Sequence, residues 1–151
     1  MSVVSDMKEL TVMIPGEPVS QGRPRFSTYG GFPRAYDPKK SKEGKQSVRF
    51  FVSKAMEEQG IDTLTGPIMM QVQFGIKLPK SQERKRTPRP RIWRVKKPDL
   101  DNLIKLVKDG CSGIVFLDDN QIVKVAAEKI QCAQGEAPFT KIRFAELEEL
   151  S

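Results

Sequence analysis

The chain has 151 residues, a formal net charge of +7, two cysteines and no histidine. That length suits one domain with a real core. Without histidine there is no imidazole general base, no Ser-His-Asp triad and no His-ligated zinc, and two cysteines alone do not build a structural zinc site. Catalysis by this chain must rest on carboxylates, lysines, hydroxyls or a bound ion. The first ten residues lack a basic start followed by an apolar run, and no apolar stretch approaches the roughly 20 residues that span a bilayer. The sequence therefore predicts an intracellular protein with no membrane partner.

In chain order, Leu10–Ile14 alternates and stops at Pro15-Gly16, which predicts a first strand. Residues 16–36, rich in proline, glycine and arginine, read as a long functional loop. Asp37-Pro38 reads as a helix N-cap followed by proline at the first helical position. Val48, Phe51, Val52, Ala55 and Met56 recur on one helical face, and Gly60 supplies the stop. Met70, Val72, Phe74, Ile76 and Leu78 alternate with polar residues, predicting a strand with one buried face.

From Lys77 to Pro98 there are ten basic residues and one acid, so this segment carries +9 while the rest of the chain sums to −2. Its prolines and lack of apolar period predict an extended, mobile arm over 79–98. A cationic cluster this local is a footprint for a polyanion. Pro98-Asp99 then opens a second helix, with a stripe of Leu100, Leu103, Ile104, Val107 and Cys111 that Gly110 and Gly113 close. Asp118-Asp119-Asn120 reads as a turn, Gln121–Lys129 as a strand and Phe139–Phe144 as the last strand. The order β-α-β-loop-α-β-β predicts one α/β (α+β) domain over 1–151, a mixed four-stranded sheet packed by two helices.

The most informative stretch is Lys96 to Asn120. Asp99 and Asp101 flank the start of the second helix, and Asp118 and Asp119 sit at the turn a helix further on. Asp99 as a mere cap is the ordinary alternative. Converging carboxylates repel one another unless a cation neutralises them, and magnesium prefers such oxygen ligands. Lys105, four residues after Asp101, can offset that repulsion and steady a phosphate oxygen. Acids of this kind beside a cationic segment point to metal-dependent cleavage of a phosphodiester backbone.

Lys97-Pro98-Asp99-Leu100-Asp101-Asn102-Leu103-Ile104-Lys105, followed by Leu117-Asp118-Asp119-Asn120-Gln121-Ile122-Val123, resembles the motifs of the RusA-type Holliday junction resolvases. These are small endonucleases often carried by phages and prophages. The resemblance implies metal-binding aspartates at Asp99, Asp101 and Asp119, with Asp118 able to exchange roles with Asp119. It also implies an essential lysine at Lys105 and a supporting role for Asn102. It further implies a cytoplasmic homodimer that binds four-way DNA junctions and nicks them symmetrically with Mg²⁺ (Mn²⁺ substituting), in DNA recombination and repair, without a small-molecule cofactor.

Gly22-Arg23-Pro24-Arg25-Phe26 resembles the Gram-positive and phage branch of that family. Arg23 and Arg25, with Arg84, Lys85, Arg86, Lys96 and Lys97, are the candidate DNA contacts. Phe26 is read as core in preference to a wedge between bases, and Trp93 as either a stacking or interface residue or an anchor for the arm. Two other readings compete. A non-catalytic basic nucleic-acid-binding protein leaves the acid pairs unexplained, and a nucleotide phosphotransfer enzyme lacks a phosphate-binding fingerprint.

Overall fold

The computed structural model describes residues 8–22, 25–28, 30–31, 34–36 and 38–150. In chain order the elements are β1 (Glu9–Pro15), β2 (Arg25–Ser27), β3 (Arg34–Tyr36), α1 (Lys39–Gln59) and β4 (Ile68–Ile76). A 3₁₀ turn (Lys80–Gln82), β5 (Ile92–Trp93) and α2 (Leu100–Cys111) follow. A second 3₁₀ turn (Asp119–Gln121) leads into β6 (Ile122–Gln131) and β7 (Phe139–Glu146). Five strands form a mixed sheet in the order β1-β7-β4-β6-β5, and β2 and β3 form a separate hairpin. β4 and β6 are parallel, and the other pairs are antiparallel. A parallel pair needs a crossover, and the arm with α2 supplies it.

The alternation read in β4 places Ile68, Met70, Val72, Phe74 and Ile76 in the core. Leu10, Val12 and Ile14 of β1 and Ile142 and Phe144 of β7 lie beside them in register. Both helices cover this one face, and burying a side chain of that size removes roughly 1.5 to 3 kcal/mol of exposure cost each. Val48, Val52, Ala55 and Met56 of α1 and Leu103, Leu106, Val107 and Cys111 of α2 complete the core. Gly60 ends α1 at φ 65°, donating its N–H to the Glu57 carbonyl.

Several elements depart from the sequence reading. The sheet has five strands, because two residues of the arm, Ile92 and Trp93, pair with Gln131 and Ile130 of β6. Residues 16–36 contain the short β2–β3 hairpin. Pro38 occupies the position before the first turn of α1, and Asp37, expected as the cap, lies outside the described residues, as does Arg23. Of Arg25 and Phe26 only the backbone, in β2, is described. Gly110 does not close α2. It lies within the helix, where a Cβ would stand 2.8 Å from Val48 Cβ and Cγ1. The missing side chain lets α1 and α2 approach, and the Lys45–Asp109 ion pair (3.9 Å) spans the same contact. The stripe also gains Leu106, which the spacing reading omitted.

Replacing Gly110 by Val should therefore lower stability by about 1 to 3 kcal/mol through overpacking. Urea denaturation measures this, and an unchanged midpoint would show that the helices have room to separate.

Candidate nuclease site

The start of α2 is fixed by a single ammonium. Lys129, near the end of β6, donates to the carbonyls of Lys96 (2.7 Å) and Pro98 (2.6 Å). A second tie runs from the Gln21 N–H to the Asn102 carbonyl at 2.9 Å. Asp99 has the backbone conformation of an N-cap, yet its carboxylate makes no capping hydrogen bond. The ordinary alternative for this residue therefore fails, and its oxygens are left for another partner. Asp101 follows in the first turn, and Lys105 lies one turn further along. All three are exposed, and none has a side-chain hydrogen bond or ion pair among the described residues. The positive end of the helix dipole eases two negative charges at this point.

Asp99 and Asn102 line a cleft of about 460 Å³ with Glu17, Ser20, Lys40, Arg94 and Lys97. Glu17 was missed in the sequence reading because nothing in its neighbourhood marks chemistry. Its carboxylate accepts from the Lys77 N–H at 3.3 and 3.4 Å, which ties β1 to the start of the arm.

Asp118 and Asp119 occupy the turn before β6, and their roles differ. Asp118 Oδ1 accepts from the Asn120 N–H at 2.8 Å, and Gln121 Oε1 accepts in return from the Asp118 N–H at 3.0 Å. This reciprocal cap has the Asp-x-x-Gln spacing, a signal present in the sequence but not used there. Gln121 Nε2 anchors the turn to the carbonyls of Leu64 and Gly66. Asp119 is exposed and has no side-chain partner among the described residues. Asp118 thus spends an oxygen on structure, and Asp119 is the freer carboxylate.

The two acid pairs do not converge within one chain. Asp99 is beside Lys129, whereas Asp119 adjoins Ile122. The seven residue steps between those β6 positions cover about 23 Å. The twelve residues of α2 span about 18 Å between the same two ends. Among the described residues no group of three potential metal-binding side chains comes together. A single ion shared by Asp99, Asp101 and Asp119 of one chain is therefore excluded by length.

The arm from Lys80 to Lys97 is tied along the end of β6. Gln134 Oε1 accepts from the Arg84 and Arg89 N–H groups, and its Nε2 donates to the Arg84 carbonyl. Arg91 pairs with Glu136 and also stands over the Phe139 ring, 5.5 Å from its centroid. Arg94 donates to Gln131 Oε1 and the Lys97 carbonyl. The side chains of Arg84, Lys85, Arg86, Lys96 and Lys97 make no such bonds among the described residues and are turned to solvent. Trp93 sits in β5 and is 67% exposed.

The Arg91 guanidinium holds the Glu136 carboxyl below its usual range, and Glu136 raises Arg91 in return. Both thiols are unpaired and buried, and burial pushes each upward, so neither is a nucleophile.

An α/β domain with unpaired aspartates at a helix start and a cationic arm beside it has the construction of a phosphodiester hydrolase. The family model described as "Endodeoxyribonuclease RusA" matches residues 15–143. The chain is also 34% identical over 137 residues to "Uncharacterized protein YqaN" of Bacillus subtilis (strain 168), covering 87% of this chain and 92% of that protein. The chain belongs to the RusA endodeoxyribonuclease family, hydrolases that act on DNA as Holliday junction resolvases. Nucleases of this family are divalent-metal dependent, and the all-oxygen donor set here suits a hard cation. Among the described residues, no helix is long and apolar enough to cross a membrane.

Two outcomes follow from the arm. Replacing Arg84, Lys85 and Arg86 by Ala should weaken DNA binding and flatten the slope of log affinity against log salt by about 2 to 3. An unchanged slope would take these residues out of the interface. Because the folded value of Glu136 is depressed, its contribution is present above the ordinary carboxylate value and lost as pH falls through the lowered one. Glu136→Gln should remove that part of the acid-side stability loss in a pH titration of unfolding.

Proposed function

We propose that the protein resolves four-way DNA junctions with Mg²⁺ as a homodimer, each site drawing Asp99 and Asp101 from one chain and Asp119 from the other. The observation that carries this is the separation of Asp99 and Asp101 from Asp119 by about the length of α2, with none of the three carboxylates partnered among the described residues. Neither set alone has three donors. A two-fold partner that lays one end of its β6 against the other end brings them together twice. A junction with near two-fold symmetry then meets two equivalent sites.

In each site Asp99, Asp101 and Asp119 would hold the cation, and Asp118 keeps the turn in shape. Mn²⁺ has the same ligand preference and substitutes. When bound, such an ion makes a coordinated water more acidic and offsets charge on the phosphate. Lys105 steadies a non-bridging phosphate oxygen while the P–O bond to water forms and the P–O bond to the departing sugar oxygen breaks. Asn102 supports the site through its backbone carbonyl, which accepts from the Gln21 N–H and ties the loop after β1 to α2. Lys96, Lys97 and the Arg84–Arg86 run hold the backbone strands, with Arg23 and Arg25 as further phosphate contacts. A cytoplasmic location, in a bacterial or phage-infected cell, fits activity on DNA.

Asp99→Asn, Asp101→Asn and Asp119→Asn should each cut cleavage of a synthetic four-way junction by about 100-fold or more. Junction binding should persist in all three. A non-catalytic binder would show no cleavage in the wild type. Mixing Asp99→Asn with Asp119→Asn chains should restore cleavage, because the mixed dimer holds one site with all its acids. A mixture that forms mixed dimers and stays inactive would rule out the shared site.

A further inference from the structure

We infer that Trp93 is a stacking platform for one nucleobase turned out of the duplex stack, on the sheet face that the helices leave open. This rests on the DNA-binding part of the reading above and adds a base contact to the phosphate contacts of the arm. Trp93 is the sole tryptophan of the chain and lies within its most basic segment. Its side chain is 67% exposed. A residue that anchored the arm would be buried, and the arm is tied by other groups. The Gln134 amide, the Arg91–Glu136 pair and the Arg94–Gln131 bond hold it. The indole is left for another partner.

The strand register fixes where that indole lies. Trp93 is opposite Ile130 of β6, Ile130 is paired with Gly75 of β4, and Gly75 with Phe139 of β7. Gly75 falls between the core residues Phe74 and Ile76, so this row of four is on the opposite, open face. A Cβ at Gly75 would stand 2.4 Å from Phe139 Cε1, which places the Phe139 ring across the glycine. The Arg91 guanidinium stands over that ring, 5.5 Å from its centroid, and Glu136 holds it there. Arg91, Ile92, Trp93 and Ile130 line an open pocket of about 390 Å³. The pocket thus joins an indole, a buried aliphatic side chain and a fixed planar cation.

A nucleobase suits this combination. Its flat face stacks on an indole, and a guanidinium lies against a ring in the same way. Charge selects a polyanion as the carrier of that ring, since ten basic residues and one acid lie between Lys77 and Pro98. Lys96 and Lys97 follow Trp93 within four residue steps, a span of at most about 14 Å. A strand held there by its phosphates brings a base within reach of the indole. β5 is also the edge strand of the sheet, so a strand leaving the Asp99 cleft crosses only this edge to reach the open face. A base inside a paired duplex is shielded by its neighbours, so the occupant is an extruded or single-stranded nucleotide. Stacking accepts every base, and Trp93 therefore adds affinity without reading a sequence.

All indole emission comes from Trp93, so the test is direct. Wild-type protein in EDTA, titrated with a single-stranded oligothymidylate, should lose much of that emission and become shielded from acrylamide. An abasic strand of the same length should bind without the quench. Trp93→Ala should weaken oligothymidylate binding by about 5- to 150-fold with an unchanged salt slope, and Trp93→Phe should recover most of it. The slope separates a lost stack from a displaced arm, which would take its phosphate contacts along and flatten the slope. Emission that ignores the strand, or falls equally with the abasic one, would overturn the inference. So would a Trp93→Ala form that binds as tightly as the wild type, or one whose weaker binding comes with altered sedimentation, which would assign the indole to a contact between chains. Should Trp93→Ala fail to fold, the wild-type titration still decides. Quenching without junction cleavage in Mg²⁺ would refute the nuclease reading and keep the platform, and cleavage without quenching would do the reverse.

Discussion

The charge-assisted contact that bears most directly on the site is the Lys129 ammonium held by the Lys96 and Pro98 carbonyls. Such bonds are stronger than neutral ones. This one connects the end of β6 to the residues just before α2. It joins the β5 pairing, the Gln134 bonds to Arg84 and Arg89 and the Gln21–Asn102 bond in tying the arm and the first acid pair to the sheet. With it, Asp99, Lys96 and Lys97 share one corner, so the proposed phosphate contacts and the proposed cation ligand keep a fixed spacing.

A second constraint is the length of α2. Twelve residues carry the chain from the acid pair at its start to the capped turn beyond its end. The helix makes the crossover that a parallel β4–β6 pair requires. The same crossover that completes the core therefore holds the two acid pairs apart. One chain folds without crowding its carboxylates, and in the proposed shared site the electrostatic cost of bringing them together would be met only with a partner and a cation present.

Most of the framework was legible in the sequence, because strict periodicity reports burial. Met70 to Ile76 alternates as a half-buried strand must, and Leu103, Val107 and Cys111 recur as a packed helix face must. The pairing of Ile92 and Trp93 was not legible, since two residues carry no period. Gly110 reads as a stop in a string of letters and proves to be a contact, because only the position of Val48 reveals the close approach. The acids were found from their type and spacing, and their separation was not, since sequence distance is silent about which end of an element faces which. The cap made by Asp118 and Gln121 was legible and overlooked, and it is what separates Asp118 from Asp119.

Gln121 has one more consequence. Its amide holds the turn by hydrogen bonds to four backbone groups, at Leu117, Asp118, Leu64 and Gly66. A neutral anchor of this kind is indifferent to ionic strength, whereas the grip of exposed arginines and lysines on a polyanion weakens steeply with it. Brine should therefore loosen the hold on nucleic acid while leaving the Asp119 carboxylate aimed as before, so that affinity and aim are controlled by separate parts of the fold.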